Sequence, residues 1–319
     1  MNATPRVLLV GAGAMGARHA RVIAQSGRAT LATVVDPRED VGGGVAERFG
    51  AFWAPALGSL SGIDAVVIAA ATEAHFELAS RVIGEGIPVL VEKPMADGIE
   101  QTLSLIAAAE RGSIPVMCGL LERFNPAIMT ARELVDEPVH VTATRHSPYA
   151  PRIATGVSWD LLVHDVDLAV TFLGGEPTSV SGLLGRYDPR SLKGAEDVAE
   201  VVLRFSGGQV AHLSASRIGQ RKVRSMSVHD VDKLVEIDLL RRDVTVYHNV
   251  SDQPANDDGR GYKYETVIEI PEIASSREPL ASQFDHFVDL VTGVADADVE
   301  RRSIVPSHHV IAEVKRQNS

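Results

Sequence analysis

The first third of the chain alternates short apolar runs with stretches in which apolar residues recur at helical spacing. The apolar runs predict β-strands at 6–10, 30–35, 65–69, 88–92 and 114–118. The intervening stretches predict helices at 14–26, 45–49, 73–85 and 99–111, the last of them opening on a capping-box spacing between Asp97 and Glu100. Strands that alternate with helices in this way are typical of parallel βαβ units in a doubly wound α/β sheet.

The pattern changes after about residue 120. Helices are predicted at 125–135, 158–173, 280–291 and 307–316, and a strand is predicted at 139–146. Seven further strands are predicted at 177–187, 197–206, 209–218, 223–229, 233–239, 243–250 and 262–270, with an exposed loop at 251–261. Turn residues such as Ser206-Gly207-Gly208 separate these strands, as in the hairpins of an antiparallel sheet. The sequence therefore predicts an α/β domain over residues 1–120 and an α+β domain with a large, mostly antiparallel sheet over residues 121–319.

Composition narrows the class of protein. The 319 residues are 45% hydrophobic and 23% charged, as in soluble globular proteins, and their number suits two domains. Lys and Arg number 31 against 42 Asp and Glu, and the resulting net charge of −11 argues against nucleic acid or an anionic membrane as a partner. The N-terminal sequence lacks the features of a secretory signal, and no apolar run approaches the ~20 residues that span a bilayer. We expect a cytoplasmic protein in which the single cysteine, Cys118, is packed in the core.

A glycine-rich loop lies between the first predicted strand and the first predicted helix. It reads G-x-G-x-x-G and consists of Gly11, Gly13, Ala14, Met15 and Gly16 with Ala12 between the first two glycines. The first glycine permits a tight turn, the second lets the main chain approach a pyrophosphate, and the third allows close helix–strand packing. The loop and its flanking elements predict a Rossmann domain that binds a dinucleotide through these residues.

An acidic residue, Asp36, ends the second predicted strand twenty residues after Gly16. A carboxylate at this position can accept hydrogen bonds from the adenosine ribose and repels a 2′-phosphate, which favours NAD. Arg38 follows two residues later and is able to hold that phosphate, so NADP stays possible.

Glu92, Lys93 and Pro94 close the fourth predicted strand. Ligands bind at the carboxyl edge of a doubly wound sheet, where this strand is expected to end. A lysine there can donate a hydrogen bond to a substrate oxygen and stabilise its developing charge. A solvated lysine is the alternative when the position is considered alone.

Four polar residues share one face of the predicted helix 158–173 at about 100° per residue: Asp160, His164, Asp167 and Thr171. Asp160 and His164 stand one turn apart, as a proton-transfer pair requires, although such a stripe is also typical of a solvated helix face. A metal site is not expected, because no further ligands occur at suitable spacing. His308 and His309 are predicted to lie on an exposed helix surface, since consecutive helical residues diverge by about 100°.

These motifs together resemble the Gfo/Idh/MocA family of glucose–fructose oxidoreductases and inositol dehydrogenases, and the resemblance covers essentially the whole chain. GAGAMGARHA is similar to the family's nucleotide loop, including His19, and EKP is similar to its signature. The resemblance implies catalytic roles for Lys93, Asp160 and His164, with the histidine as acid/base. It also implies that Thr72 and His75 lie near the nicotinamide and that Glu92 and Lys93 contact the cofactor.

ERFNP (122–126) and DLLVHDVDL (160–168) are most similar to a branch of the family that contains UDP-N-acetylglucosamine 3-dehydrogenases. The resemblance implies a sugar or sugar nucleotide as the small-molecule substrate, and contacts from Arg123 and Asn125. Arg145 and Arg152 flank Tyr149 before the helix 158–173, and the three are predicted to hold an anionic or polyhydroxylated substrate, with ordinary surface positions as the alternative.

The implied reaction is a reversible hydride transfer in which His164 takes the hydroxyl proton and Lys93 donates a hydrogen bond to the same oxygen. Asp160 orients the substrate or one of these partners. An inositol or free-aldose dehydrogenase is one alternative, and a non-catalytic NAD-sensing regulator is another. The resemblance also implies a homodimer or homotetramer.

Overall fold

The computed structural model describes residues 4–150, 155–251 and 264–319. Arg152 and all but the first residue of the predicted loop 251–261 lie outside these ranges. The chain forms two compact units: residues 1–121 with 277–309, and residues 122–276 with 310–319. The sequence-based division differs from this arrangement, because it assigned every residue after 120 to the second domain.

The described ranges contain fourteen strands and eight α-helices. The strands are β1 (Arg6–Val10), β2 (Thr30–Val35), β3 (Phe52–Ala54), β4 (Ala65–Ile68), β5 (Val89–Val91), β6 (Val116–Cys118), β7 (His140–His146), β8 (Ser179–Gly185), β9 (Val198–Arg204), β10 (Val210–Ser216), β11 (Val223–His229), β12 (Lys233–Asp238), β13 (Asp243–Ser251) and β14 (Tyr264–Glu269). The helices are α1 (Ala14–Gln25), α2 (Glu39–Phe49), α3 (Thr72–Gly84), α4 (Ile99–Gly112), α5 (Pro126–Leu134), α6 (Val163–Leu173), α7 (Pro279–Val291) and α8 (Ala297–Gln317). A 3₁₀ turn covers Leu121–Phe124, and a π-helical turn, Ser158–Leu162, leads directly into α6.

The sheet of the first unit has six parallel strands in the order β3-β2-β1-β4-β5-β6. This is the strand order of a Rossmann fold, so the predicted α/β fold is confirmed. The central strands are buried on both faces, as a parallel sheet covered by helices requires, and Cys118 is 1% exposed. Strand β3 was not predicted, because its three residues lie at the sheet edge and show no buried run. The predicted capping box is wrong: Gly98 precedes α4 as the N-cap, and no side chain caps that helix.

Hydrogen bonds between residues distant in sequence join the segment 277–309 to the rest of the first unit. Arg21 donates to both carboxylate oxygens of Glu278 at 2.7 and 2.9 Å, and Arg28 donates to Asp289 at 2.6 Å. Arg301 donates to the carbonyl oxygen of Ile114 at 2.6 Å. Helix α8 begins ten residues earlier than predicted, because Pro306 inside it breaks the helical signal in the sequence.

The sheet of the second unit has eight strands in the order β14-β13-β12-β11-β7-β10-β9-β8. Neighbours are antiparallel except for the parallel pair β7 and β10, so the predicted large, mostly antiparallel sheet is confirmed. Alternate residues of β7 point into the core, where α5 and α6 pack on the sheet. Among the described helices of the chain, none combines the length and apolarity needed to cross a membrane.

The core of the second unit contains a group of charged side chains. Arg145 is 1% exposed and donates to both carboxylate oxygens of Asp165, at 2.9 and 2.7 Å, and to Glu122 at 2.8 Å. Arg224 lies 3.3 Å from the same Glu122 oxygen. Burial opposes the charge on Arg145, but the two carboxylates outweigh it and raise the pKa of the guanidinium. Burial also opposes the charge on Glu122, but Arg145 and Arg224 outweigh it and lower the pKa of that carboxyl.

Replacing Arg145 with methionine tests this group, because the change leaves Asp165 and Glu122 buried without their central cation. Breaking a buried ion pair in this way costs about 3–5 kcal/mol, so we expect a loss of that order in the free energy of unfolding of Arg145→Met. Chemical denaturation followed by circular dichroism measures it. The control is Arg316→Met, which removes an exposed pair with Glu313 and is expected to have much less effect. Equal stability of the two variants would contradict the prediction.

Candidate active site

The glycine loop has the geometry of a phosphate cradle. Gly11 has a φ of 91°, and a Cβ atom at this position would lie 2.5 Å from the carbonyl oxygen of Ala69. A Cβ at Gly16 would collide with the carbonyl of Gly11. A Cβ at Gly13 would meet no protein atom within 4 Å, so nothing in the fold itself requires glycine there. A phosphate bound at the N-terminus of α1, which begins at Ala14, would supply that requirement.

Asp36 lies at the end of β2 and is 3% exposed. One of its carboxylate oxygens accepts from the main-chain N–H of Ala12 at 2.9 Å, and the other accepts from the main-chain N–H of Arg38 at 3.0 Å. The guanidinium of Arg38 spans both oxygens, at 3.0 and 3.1 Å, while its side chain is 59% exposed. The hydrogen bond from Arg38 is the main reason that the pKa of Asp36 falls to about 2, so the carboxylate is charged at any ordinary pH.

A cavity of about 600 Å³ in the first unit joins the glycine loop to Asp36. Its lining is mainly apolar, with the two charges at one side, as expected of a nucleotide pocket. The lining includes Gly11, Gly13, Asp36, Arg38, Leu57 and Leu78. The residues present therefore fit the adenosine and phosphate groups of a dinucleotide.

Lys93 lies two residues after the end of β5, at the carboxyl edge of the same sheet, and its side chain is partly buried. Glu92 accepts from the main-chain N–H of Lys93 at 3.3 Å and is 2.7 Å from His19 Nε2. Thr72 is the first residue of α3. His75 is 1% exposed, and its ring nitrogens face the carbonyl oxygens of Pro94 and Ala70 at 2.8 and 3.1 Å. Through these contacts His75 supports the turn after Lys93, and its predicted position near the nicotinamide stays a prediction.

The acidic and histidine side chains of the π-helical turn and α6 fall into two groups, one partly exposed and one buried. Asp160 lies in the π-helical turn and His164 in the first turn of α6, and both are partly exposed. Asp165 and Asp167 are buried, in ion pairs with Arg145 and Arg123. A solvated face does not describe this helix, because two of its carboxylates lie in the core.

The predicted substrate ligands of the second unit are largely occupied by protein partners. Arg123 donates to Asp167 at 2.7 Å, and Arg145 is held by Asp165 and Glu122 as described above. Asn125, 3% exposed, accepts from Ala127 N–H as the N-cap of α5 and donates to the carbonyl oxygen of Leu239 at 3.1 Å. For Arg145 and Asn125 direct substrate contact is therefore corrected to a structural role, since their polar atoms are buried and bonded.

Tyr149, another predicted substrate ligand, lies in the loop after β7 and is partly exposed. Its hydroxyl donates to the carbonyl oxygen of Arg190 at 2.6 Å, and the Arg190 guanidinium lies 4.2 Å from the ring centre. Arg152 lies outside the described residues.

Sequence reasoning missed two residues that hold the start of this helix. Glu196 is 1% exposed and accepts from both the main-chain N–H, at 3.1 Å, and the hydroxyl of Ser158. Arg217 is 4% exposed, donates to the carbonyl oxygen of Thr155 and lies 3.8 Å from Asp160. Neither residue belongs to a motif, and their distance along the chain from the helix gave no signal of the contact.

Comparison with known proteins gives the relationship. Residues 5–120 match the oxidoreductase family with an NAD-binding Rossmann fold, and residues 128–230 match the Gfo/Idh/MocA C-terminal domain. The UDP-N-acetylglucosamine 3-dehydrogenase of Acidithiobacillus ferrooxidans is 28% identical over 90% of this chain and 88% of its own. Its solved structure superposes with a TM-score of 0.84 over 98% of this chain and 97% of the other, at 26% identity.

An inositol 2-dehydrogenase of Rhizobium meliloti is 29% identical over 67% of this chain and 69% of its own. Both family domains occur in order along the chain, and together they include the glycine loop, Lys93, Asp160 and His164. The chain therefore belongs to the Gfo/Idh/MocA oxidoreductase family.

Proposed function

We propose that this protein is an NAD-dependent dehydrogenase that oxidises a hydroxyl group of a sugar nucleotide, or reduces the corresponding ketone. The observation that carries the proposal is the division of the acidic helix. Asp165 and Asp167 are buried in ion pairs, whereas Asp160 and His164 stay partly exposed on the same helix. A histidine and a carboxylate that the core does not enclose are suited to proton transfer with a substrate.

When bound, the nicotinamide cofactor would supply the acceptor for the hydride, that is, for the hydrogen and the electron pair of the substrate C–H bond. His164 accepts the hydroxyl proton, so that the carbon–oxygen bond becomes a carbonyl and the charges balance. Lys93 Nζ donates a hydrogen bond to the reacting oxygen and stabilises the negative charge that develops on it. Asp160 orients His164 or the substrate. The reverse reaction returns the proton from His164.

The substrate class rests on the relatives. The UDP-N-acetylglucosamine 3-dehydrogenase is similar over most of the chain, which supports a sugar nucleotide. The inositol 2-dehydrogenase, similar over two thirds of it, supports inositol or a free aldose as the second candidate. An assay of NADH formation with UDP-sugars, inositols and aldoses decides between these substrate candidates. Tight NAD binding without turnover on any member would favour a regulator.

We also propose a homodimer or homotetramer. Leu183 and Val202, on neighbouring strands β8 and β9, and Ile268 on β14 are 73%, 45% and 58% exposed. Apolar side chains exposed on a sheet are typical of surfaces that pair with another subunit.

The first prediction of this proposal concerns cofactor choice. Because the charged Asp36 carboxylate accepts from ribose hydroxyls and repels a 2′-phosphate, NAD should bind more tightly than NADP. Asp36→Ala should reduce the difference between the dissociation constants of NAD and NADP. Titration with both reduced cofactors, followed by fluorescence, measures it, and Glu110→Ala is a control at an exposed carboxylate on α4 of the same unit. Tighter binding of NADP by the unmodified protein would contradict the prediction.

Lys93→Met tests the oxygen ligand. We expect the dissociation constant of NAD to stay nearly constant while kcat falls by about 10²-fold or more, the usual loss for one preorganised donor. The matched control is Lys193→Met, at an exposed lysine outside the proposed site. A fully active Lys93→Met enzyme would show that Lys93 is only a solvated lysine.

His164→Asn tests the general base. Only neutral imidazole accepts a proton, so kcat/KM for oxidation should rise with pH along a limb that the variant lacks. The rate should fall by about 10²–10⁴-fold, the usual contribution of acid–base catalysis. The pH–rate profiles of the unmodified protein, the variant and His212→Asn, an exposed histidine of the sheet, provide the measurement. A variant that keeps both the limb and the rate would exclude His164 as the base.

A further inference from the structure

Three buried histidines contact the segment 92–95, which carries Lys93. They come from three separate helices: His19 from α1, His75 from α3 and His308 from α8. Their residues are 0%, 1% and 0% exposed. The contacts are His19 Nε2 to Glu92 Oε1 at 2.7 Å, His75 Nδ1 to the Pro94 carbonyl oxygen at 2.8 Å, and His308 Nε2 to the Met95 main-chain nitrogen at 3.3 Å. The burial of His308 corrects the prediction of an exposed surface position.

The segment needs such partners because the sheet ends at its first residue, Glu92. The main-chain N–H of Glu92 donates to the carbonyl oxygen of Ile68 at 2.9 Å, as the last sheet bond of this chain segment. Beyond it the N–H of Lys93 donates to the Glu92 side chain, and Pro94 has no N–H. Main-chain groups that leave a sheet inside a protein must find other partners, and here histidines provide them at Pro94 and Met95.

The atoms that each histidine uses follow from its partners. An N–H group faces His308 Nε2, so this nitrogen accepts, and the proton lies on Nδ1, which donates to the carbonyl oxygen of Ile304 at 2.9 Å. Carbonyl oxygens face both ring nitrogens of His75, and the shorter contact, 2.8 Å from Nδ1 to Pro94 against 3.1 Å from Nε2 to Ala70, assigns the donor to Nδ1. A carboxylate faces His19 Nε2, which likewise donates. Two histidines therefore contact the segment through Nε2 and one through Nδ1.

We propose that His19, His75 and His308 form a histidine clamp that fixes the position of Lys93. The three are positioning residues, and their role rests on the proposed function of Lys93. Each clamp contact lies on a residue directly beside Lys93 or one position further along. A reacting group displaced by 1 Å can lose about 10²-fold in rate, so rigid support of the segment has a direct effect on turnover.

Asparagine and glutamine substitutions distinguish this role from simple packing. Glutamine places its amide near the position of Nε2, and asparagine near that of Nδ1. The matching variants are therefore His19→Gln, His308→Gln and His75→Asn. The mismatched variants are His19→Asn, His308→Asn and His75→Gln. Glutamine is therefore the better substitute at His19 and His308, whereas asparagine is the better substitute at His75. A requirement for side-chain size alone does not predict this reversal.

The first measurement is steady-state kinetics with the substrate that the panel identifies. We expect the mismatched variants to lose about 10–100-fold in kcat, with KM and NAD affinity changed less than about threefold, because Lys93 is displaced without loss of the pockets. The matching variants should stay within about threefold of the unmodified kcat. Equal losses for asparagine and glutamine at all three positions would overturn the clamp.

The second measurement is amide hydrogen exchange, which needs no substrate. The mismatched variants should exchange faster at the amides of Lys93 and Met95, while the core strands β1 and β4 keep their protection. Faster exchange throughout the first unit, or unchanged exchange at Met95 in His308→Asn, would overturn the proposal. If the unmodified protein oxidises no member of the panel, the proposed function fails, and the exchange data still decide whether the clamp holds the segment.

Discussion

Main-chain groups that leave the carboxyl edge of the parallel sheet need partners that the sheet no longer provides. At β1 and β5 the first unit meets this need with a carboxylate. Asp36 accepts from the N–H of Ala12 in the glycine loop, and Glu92 accepts from the N–H of Lys93. Both carboxylates lie where a dinucleotide fold binds its ligand. The edge that must be stabilised is therefore also the edge at which negative charge and hydrogen-bonding capacity are concentrated.

In the second unit, the charged side chains inside the core also need partners. Arg145 and Arg123 fix the buried side of the helix that carries His164, because they form ion pairs with Asp165 and Asp167. Its first turn is held by Glu196 at Ser158. Buried ion pairs contribute little net stability, but they tolerate no rearrangement, because a displaced partner leaves a charge buried alone. A helix anchored in this way holds its partly exposed residues in one orientation, which suits proton transfer.

The sequence predicted the doubly wound α/β fold class and the positions of the glycine loop and Asp36, because these follow from local periodicity and from one motif with fixed flanks. The burial of Arg145 could be predicted from the strand pattern. Arg145 lies two residues after Ala143 and four after Val141 in β7, so the three side chains point to the same, inward face. Its partners were not predictable, since Glu122 and Asp165 come from other elements. Helices at 280–291 and 307–316 were predicted, but the burial of His308 and the place of the segment 277–309 in the first unit were not predictable, for the same reason. A helical pattern shows which face is apolar but not which unit it packs against.

Because Asp36 and Arg38 are hydrogen-bonded to each other, we expect cofactor choice to depend on both residues. Arg38 covers both carboxylate oxygens, so ribose hydroxyls must share them or displace the guanidinium. Displacement is inexpensive, because the Arg38 side chain is 59% exposed and gains hydration when it moves. Movement uncovers a carboxylate that accepts from the ribose of NAD, and it also frees a cation able to meet a 2′-phosphate. We therefore expect the pair to set the preference between the two cofactors, with the buried carboxylate fixed in place and the exposed arginine able to move.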